Sequence, residues 1–204
     1  MNSLITLVLA AGASRRMGTT KALLPWGSKT VLGHLLDEAA ASGPGQLLIV
    51  TGAHREEVLH TLGPLSELTH YNPYWKSGMG ASLASGVREV ERRFPEAEAL
   101  MVILVDQPLL TREYLRRIRQ EHRDFPQHII ASDYGAFAGV PALFPRRFWK
   151  ALGELTGDKG AKGLIASRKA ECRLLDPGRA ITDVDTPEAY ERKLALAGIE
   201  SKKN

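Results

Sequence analysis

The sequence predicts an α/β protein, a three-layer α/β/α sandwich around a mostly parallel sheet. Short apolar runs at 4–9, 46–51 and 99–105 have the length and continuity of strands covered on both faces, and a further candidate lies at 128–132. Helical patterns at 30–42, 54–61, 80–93 and 111–122 separate them, and that alternation calls for crossover helices between parallel strands. The 204 residues, 44% of them hydrophobic, are enough for one well-buried core and few for two.

Leu4–Leu9 is apolar apart from Thr6 and ends in the small residues Ala10, Ala11, Gly12 and Ala13. Gln46–Thr51 and Leu100–Val105 are similar runs, leading into Gly52 and Asp106. In such sheets ligands bind outside the carboxyl ends of the strands, so the loops starting at Ala10, Thr51 and Asp106 are expected on one rim. The second half is less regular. Gly135, Gly139, Pro141 and Pro145 are expected to break any long element at 135–145. Helices at 146–153 and 160–168 come next, then strand-like residues at 171–175 and 180–184. The last helix runs from Pro187, a favoured first-turn residue, to about Ala197. With 198–204 expected to fray, the reading is one domain over 1–197, without repeat, low-complexity tract or linker.

Composition narrows the function classes. Cys172 is the single cysteine, which excludes an internal disulfide and a cysteine-rich zinc site. The six histidines form no i, i+4 pair, so a zinc enzyme is not expected. Residues 3–13 are apolar, but no Lys or Arg precedes them, the wrong order for a secretory signal. A soluble, cytoplasmic protein with no membrane partner is the expectation. Net charge is only +4, and Arg92-Arg93 and Arg116-Arg117 fall on predicted helices, so no nucleic-acid partner is expected either.

The segment from Leu7 to Lys21 is the most informative. A strand opens into a small-residue loop that ends in cations, with Gly12 and Gly18 permitting close approach, Ser14 and loop amides able to donate, and Arg16 and Lys21 able to bind phosphate oxygens. It is no Walker loop, because Thr19 follows Gly18, and no dinucleotide fingerprint, because Ala11 and Ala13 break the glycine spacing. Asp106, in Asp106-Gln107-Pro108, ends a buried-type strand, where its charge is costly unless a cation such as magnesium offsets it. In Asp183-Val184-Asp185-Thr186-Pro187-Glu188, Asp185 or Thr186 reads as a helix N-cap. Asn72–Leu83 leads glycines, Gly80 among them, into a helix amino terminus, and Ser82 there is either a ligand contact or part of a turn and cap. Ala84 excludes a nucleophile elbow around Ser82. Trp26, Trp75 and Trp149 read as packing groups rather than stacking platforms.

Taken together, these segments resemble the nucleotidyltransferases of the nucleotide-diphospho-sugar transferase type, and most closely the molybdenum cofactor cytidylyltransferases related to molybdopterin guanylyltransferase. The resemblance spans about residues 4–192 and rests on the first motif, Lys21–Trp26, the Asp-Gln-Pro turn, Asp183–Glu188, Gly139–Phe144 and Leu155–Lys162. It implies transfer of CMP from CTP, or a related transfer from another nucleotide such as GTP, to the terminal phosphate of molybdopterin, with pyrophosphate released. A non-catalytic carrier of the cofactor is the rival from another class. Ala10, Ala11, Gly12, Ala13, Ser14, Thr51, Gly52, Gly80 and Ser82 are implied to hold the nucleotide, with Arg16, Lys21 and Asp106 catalytic. Asp106 and Asp185 are implied to hold Mg2+, with Asp183 the second choice. Gly139, Pro141, Asp158 and Lys162 are implied to meet the acceptor. Lys162 stands where the family pattern has Arg, which keeps the charge and loses the bidentate fork. A molybdoenzyme would receive the product. Ala11, in place of a second glycine, leans the base choice to cytosine.

Overall fold

The computed structural model describes residues 3–13, 20–178 and 183–200. In chain order it has β1 (Ser3–Ala10), β2 (Pro25–Trp26), β3 (Lys29–Thr30), α1 (Val31–Ala41), β4 (Gln46–Thr51), α2 (Arg55–Leu62), β5 (Thr69–Tyr71) and α3 (Met79–Arg93). Then come β6 (Ala97–Leu104), α4 (Arg112–Asp124), β7 (Ile129–Asp133), β8 (Ala138–Pro145), α5 (Trp149–Gly153), α6 (Lys162–Ser167), β9 (Cys172–Leu175) and α7 (Pro187–Leu196). Strands β2 and β3 form a small antiparallel ribbon. The main sheet has seven strands in the order β5-β4-β1-β6-β8-β7-β9. Every pairing is parallel except those of β8, which runs antiparallel to β6 and β7. The expected three-layer, mostly parallel sandwich is therefore the fold found.

Strand alternation divides the core into its two layers. Val8, Ile49, Met101 and Ile103 face one side, against Leu32 and Leu35 of α1, Val58 of α2, Ile118 of α4 and Leu194 of α7. Leu7, Val50, Leu100 and Val102 face the other, against Leu83 and Val87 of α3, Trp149 of α5 and Ile165 of α6. Burial on both faces is why these runs read as continuous apolar stretches. Gly86 lets α3 approach closely: a Cβ there would lie 2.7 Å from a Val50 methyl and 2.9 Å from the Leu7 methyls. Gly86→Ala is therefore expected to lower stability by about 1–3 kcal/mol, despite alanine's better helix propensity, as measured by urea unfolding.

Several local expectations are corrected. Within the 135–145 stretch Ala138–Pro145 forms β8, because Val140 and Pro141 occupy a bulge: Ala131 opposes Ala142 while Ser132 opposes Gly139. A bulge is where a sheet tolerates proline. Short β5, with His70 at its centre, has no apolar run to announce it. Of the strand expected at 180–184, residues 180–182 lie outside the described residues, and Asp183 and Val184 belong to no strand. The helices expected at 146–153 and 160–168 are shorter α-helices, the first preceded by a 3-10 turn over Arg146–Phe148. Among the described residues no helix is long and apolar enough to cross a membrane.

Candidate active site

β1, β4 and β6 deliver their carboxyl ends to one rim, where a cavity of about 460 Å³ opens. Ala10, Ala11, Gly12, Ala13 and Lys21 line it from the first motif, and Leu104, Val105 and Asp106 from the end of β6. Ser82 and Asp158 contribute from the opposite side. Lys21 opens a 3-10 turn, Lys21–Leu23, packed down by buried Ala22. Its Nζ lies 3.4 Å from Asp106 Oδ2 and 2.7 Å from Asp185 Oδ1.

Asp106 sits in a hard electrostatic position. Burial, followed by the nearby Asp183 carboxylate, pushes its carboxyl up to about 6, while Lys21 pulls it down. Its Oδ1 is buried without a hydrogen-bond partner among the described residues. Asp185, by contrast, has a side chain 58% exposed. A buried carboxylate oxygen lacking a partner at the cavity wall, with a second, exposed carboxylate joined to the same lysine, fits a hard divalent cation that keeps several waters or phosphate oxygens. Among the described residues no three or more His, Cys, Asp or Glu side chains gather into a cage, and magnesium rarely takes one.

The C-terminal segment reaches this point through the backbone. The Val184 N–H donates to the Asp106 carbonyl at 2.8 Å, and the Val184 side chain is buried. Its neighbours Asp183 and Asp185 take different partners. Asp185 meets Lys21, whereas Asp183 Oδ1 accepts from Gln107 Nε2 at 3.0 Å. The N-cap ambiguity is also settled: Thr186 Oγ1 accepts from the Ala189 N–H at 3.2 Å, so the cap of α7 is Thr186.

Of the other expected nucleotide-site residues, Thr51, Gly52 and Gly80 do not line the cavity, whereas Ser82 does. Thr51 is buried, its hydroxyl donating to the His70 carbonyl, and Gly52 packs so tightly on Ala11 that a Cβ would lie 2.4 Å from the Ala11 carbonyl oxygen. Gly80 spends its N–H on the Gly157 carbonyl at 2.7 Å. Ser82 lies inside α3, where its hydroxyl accepts from buried Asn72 Nδ2 at 3.0 Å; Gly78 is the N-cap residue. Gly139, Pro141 and Lys162 do not line the cavity, whereas Asp158 does. Ser14 and Arg16 lie outside the described residues. Sequence reasoning missed Lys76 and Met79 as lining residues, and Asn72 and Gln107 as supports. Trp75 packs on the core as expected but also lines the cavity, unlike Trp26 and Trp149. Only Gln107 carried a signal, its place in the Asp-Gln-Pro turn.

A mostly parallel sheet with a lysine-bearing loop after its first strand, set against a strand-end aspartate, places the protein among the nucleotidyltransferases. Within that class the chain belongs to the MobA-like NTP transferase domain family, whose family model matches residues 6–172. It is similar to the purine catabolism protein PucB of Bacillus subtilis, with 30% identity over 200 residues, 92% of this chain and 94% of that protein. The nicotine blue oxidoreductase of Paenarthrobacter nicotinovorans is 29% identical over 201 residues, 92% of this chain and 95% of its own. The crystal structure of Rv0371c from Mycobacterium tuberculosis H37Rv superposes with a TM-score of 0.83 at 33% identity, over 95% of this chain and 98% of that one. A manganese complex of Rv0371c gives 0.77 at 30% identity, over 95% and 99% of the two chains.

Proposed function

We propose that the protein transfers CMP from CTP to the terminal phosphate of a molybdopterin-type acceptor. The observation that carries this reading is the meeting of Lys21 with Asp106 and Asp185 at the mouth of the cavity lined by the first motif. The nucleotide lies along Ala10–Ala13, with Lys21 gripping the triphosphate and Arg16 assigned the same task. An acceptor phosphate oxygen attacks the α-phosphorus in line, the bond from that phosphorus to the bridging oxygen breaks, and pyrophosphate leaves. No protein nucleophile is needed, because positioning and charge stabilisation carry such transfers.

Asp106 and Asp185 are the residues that would hold magnesium, which when bound neutralises charge on the phosphates. The manganese complex of Rv0371c supports a divalent cation in this family. Cytosine is favoured by Ala11, which stands where the guanylyltransferase pattern has a second glycine. The product would pass to a molybdoenzyme.

The test is pyrophosphate release by purified protein with magnesium and molybdopterin, comparing the four nucleoside triphosphates. Release with CTP, dependent on both acceptor and metal, is expected. Preference for GTP would make the protein a guanylyltransferase. Tight acceptor binding without pyrophosphate from any nucleotide would make it a carrier.

A further inference from the structure

The turn between β7 and β8 builds an aromatic stack at the rim. The Tyr134 N–H donates to the Phe137 carbonyl at 2.9 Å and closes the turn, and the two rings stack with centroids 5.0 Å apart and planes at 25°. Gly139 makes room for the stack: a Cβ there would meet Phe137 ring carbons at 3.4 and 3.6 Å and a Tyr134 ring carbon at 3.6 Å. Tyr134 is anchored below, its hydroxyl donating to the Val140 carbonyl at 2.7 Å and lying 3.2 Å from Gln107 Nε2. Through Gln107, which also donates to Asp183, the stack is tied to the turn that bears Asp106.

On this stack rests the ammonium of Lys162, 3.7 Å from the Phe137 ring centroid. That is well inside the range of a cation–π contact. Lys162 is exposed and has no ion pair among the described residues. It is the first residue of α6, where a cation opposes the helix dipole, so helix stability does not explain its charge. Phe137 remains 42% exposed, so core packing does not explain the ring. A lysine head on a four-carbon stem is mobile where a guanidinium would be held by its own fork. The ring supplies that restraint. The loop before α6 carries Asp158 into the cavity wall, and β8 starts on the same rim because it runs against its neighbours.

We propose that Phe137, stacked on Tyr134, is a positioning residue that holds the Lys162 ammonium toward the acceptor's phosphate. The proposal rests on the transfer reading above for the identity of the anion, while the contact itself is independent of it. Gly139 then serves the acceptor side by seating the ring, not by touching the acceptor.

The test has two arms. In the first, protein with its lysines 13C-dimethylated is observed by NMR without substrate, the Lys162 signal being the one that Lys162→Arg removes. It is expected upfield from ring current, at its ordinary position in Phe137→Leu, and still upfield in Phe137→Tyr. In the second, steady-state transfer is measured. Phe137→Leu is expected to raise the acceptor KM about fivefold, with kcat and the CTP KM within twofold, and Phe137→Tyr to restore it. An unshifted Lys162 signal in the wild type, or an unchanged acceptor KM in Phe137→Leu, would overturn the proposal. Absence of any transfer by the wild type would instead sink the reading of function, and the NMR arm would still decide the contact.

Discussion

Lys21→Ala is expected to lose about 10²- to 10³-fold in kcat/KM, roughly 3–4 kcal/mol of transition-state stabilisation, with the fold intact. The charge it carries is opposed to both Asp106 and Asp185, and in the transfer its ammonium is the one placed to meet negative charge growing on the triphosphate. The side chain sits at the mouth of the cavity, and the turn that carries it is held by Ala22 and backbone bonds rather than by the ammonium. A far-ultraviolet circular dichroism spectrum like that of wild type, with pyrophosphate release cut by this factor, is the expected pair of results. Turnover at the wild-type rate would remove Lys21 from the mechanism.

The parts of this site legible in the sequence are those where a strand end dictates the chemistry. Buried runs at β1 and β6 stop at Ala10 and Leu104. The residues just beyond them, Ala11, Gly12 and Ala13 in one case and Val105 and Asp106 in the other, line the cavity because the sheet brings both strand ends to one rim, and Lys21 joins them from a separate 3-10 turn. The supports were not legible, because each acts through a contact distant in sequence. Asn72 steadies Ser82 from a loop before α3, and Gln107 joins Tyr134, Val140 and Asp183. β8 was hidden for a different reason. Glycine and proline count as breakers in a single strand, yet here Gly139 seats a ring and Pro141 sits in a bulge, roles that exist only once β7 is alongside. Asp185 and Thr186 were indistinguishable as caps until the geometry gave the bond to Thr186.

Asp106→Asn separates activity from stability, and the two are expected to move in opposite directions. Losing the carboxylate removes the negative charge from the buried oxygen best placed to hold a divalent cation, so transfer is expected to fall by about 10³-fold or more, roughly 4 kcal/mol at about 1.4 kcal/mol per decade. Stability is governed by the sign of the proton linkage. Asp106 holds its proton up to about 6, above the ordinary value of 3.8, so the folded state favours the protonated form. The stability contributed by that proton is complete below the ordinary carboxylate value and is lost as pH rises through about 6. At pH 7.5 without metal, the wild type therefore carries a buried charge crowded by Asp183, and asparagine relieves it, while Lys21 keeps its shorter contact with Asp185. In EDTA the variant is expected to melt at or above the wild-type temperature at pH 7.5, with that advantage shrinking by pH 4.5. Manganese together with CTP is expected to raise the melting temperature of the wild type and leave the variant unmoved. A variant that melts lower in EDTA at pH 7.5 would mean that Asp106 stabilises the fold through Lys21 rather than being held at a cost for a cation.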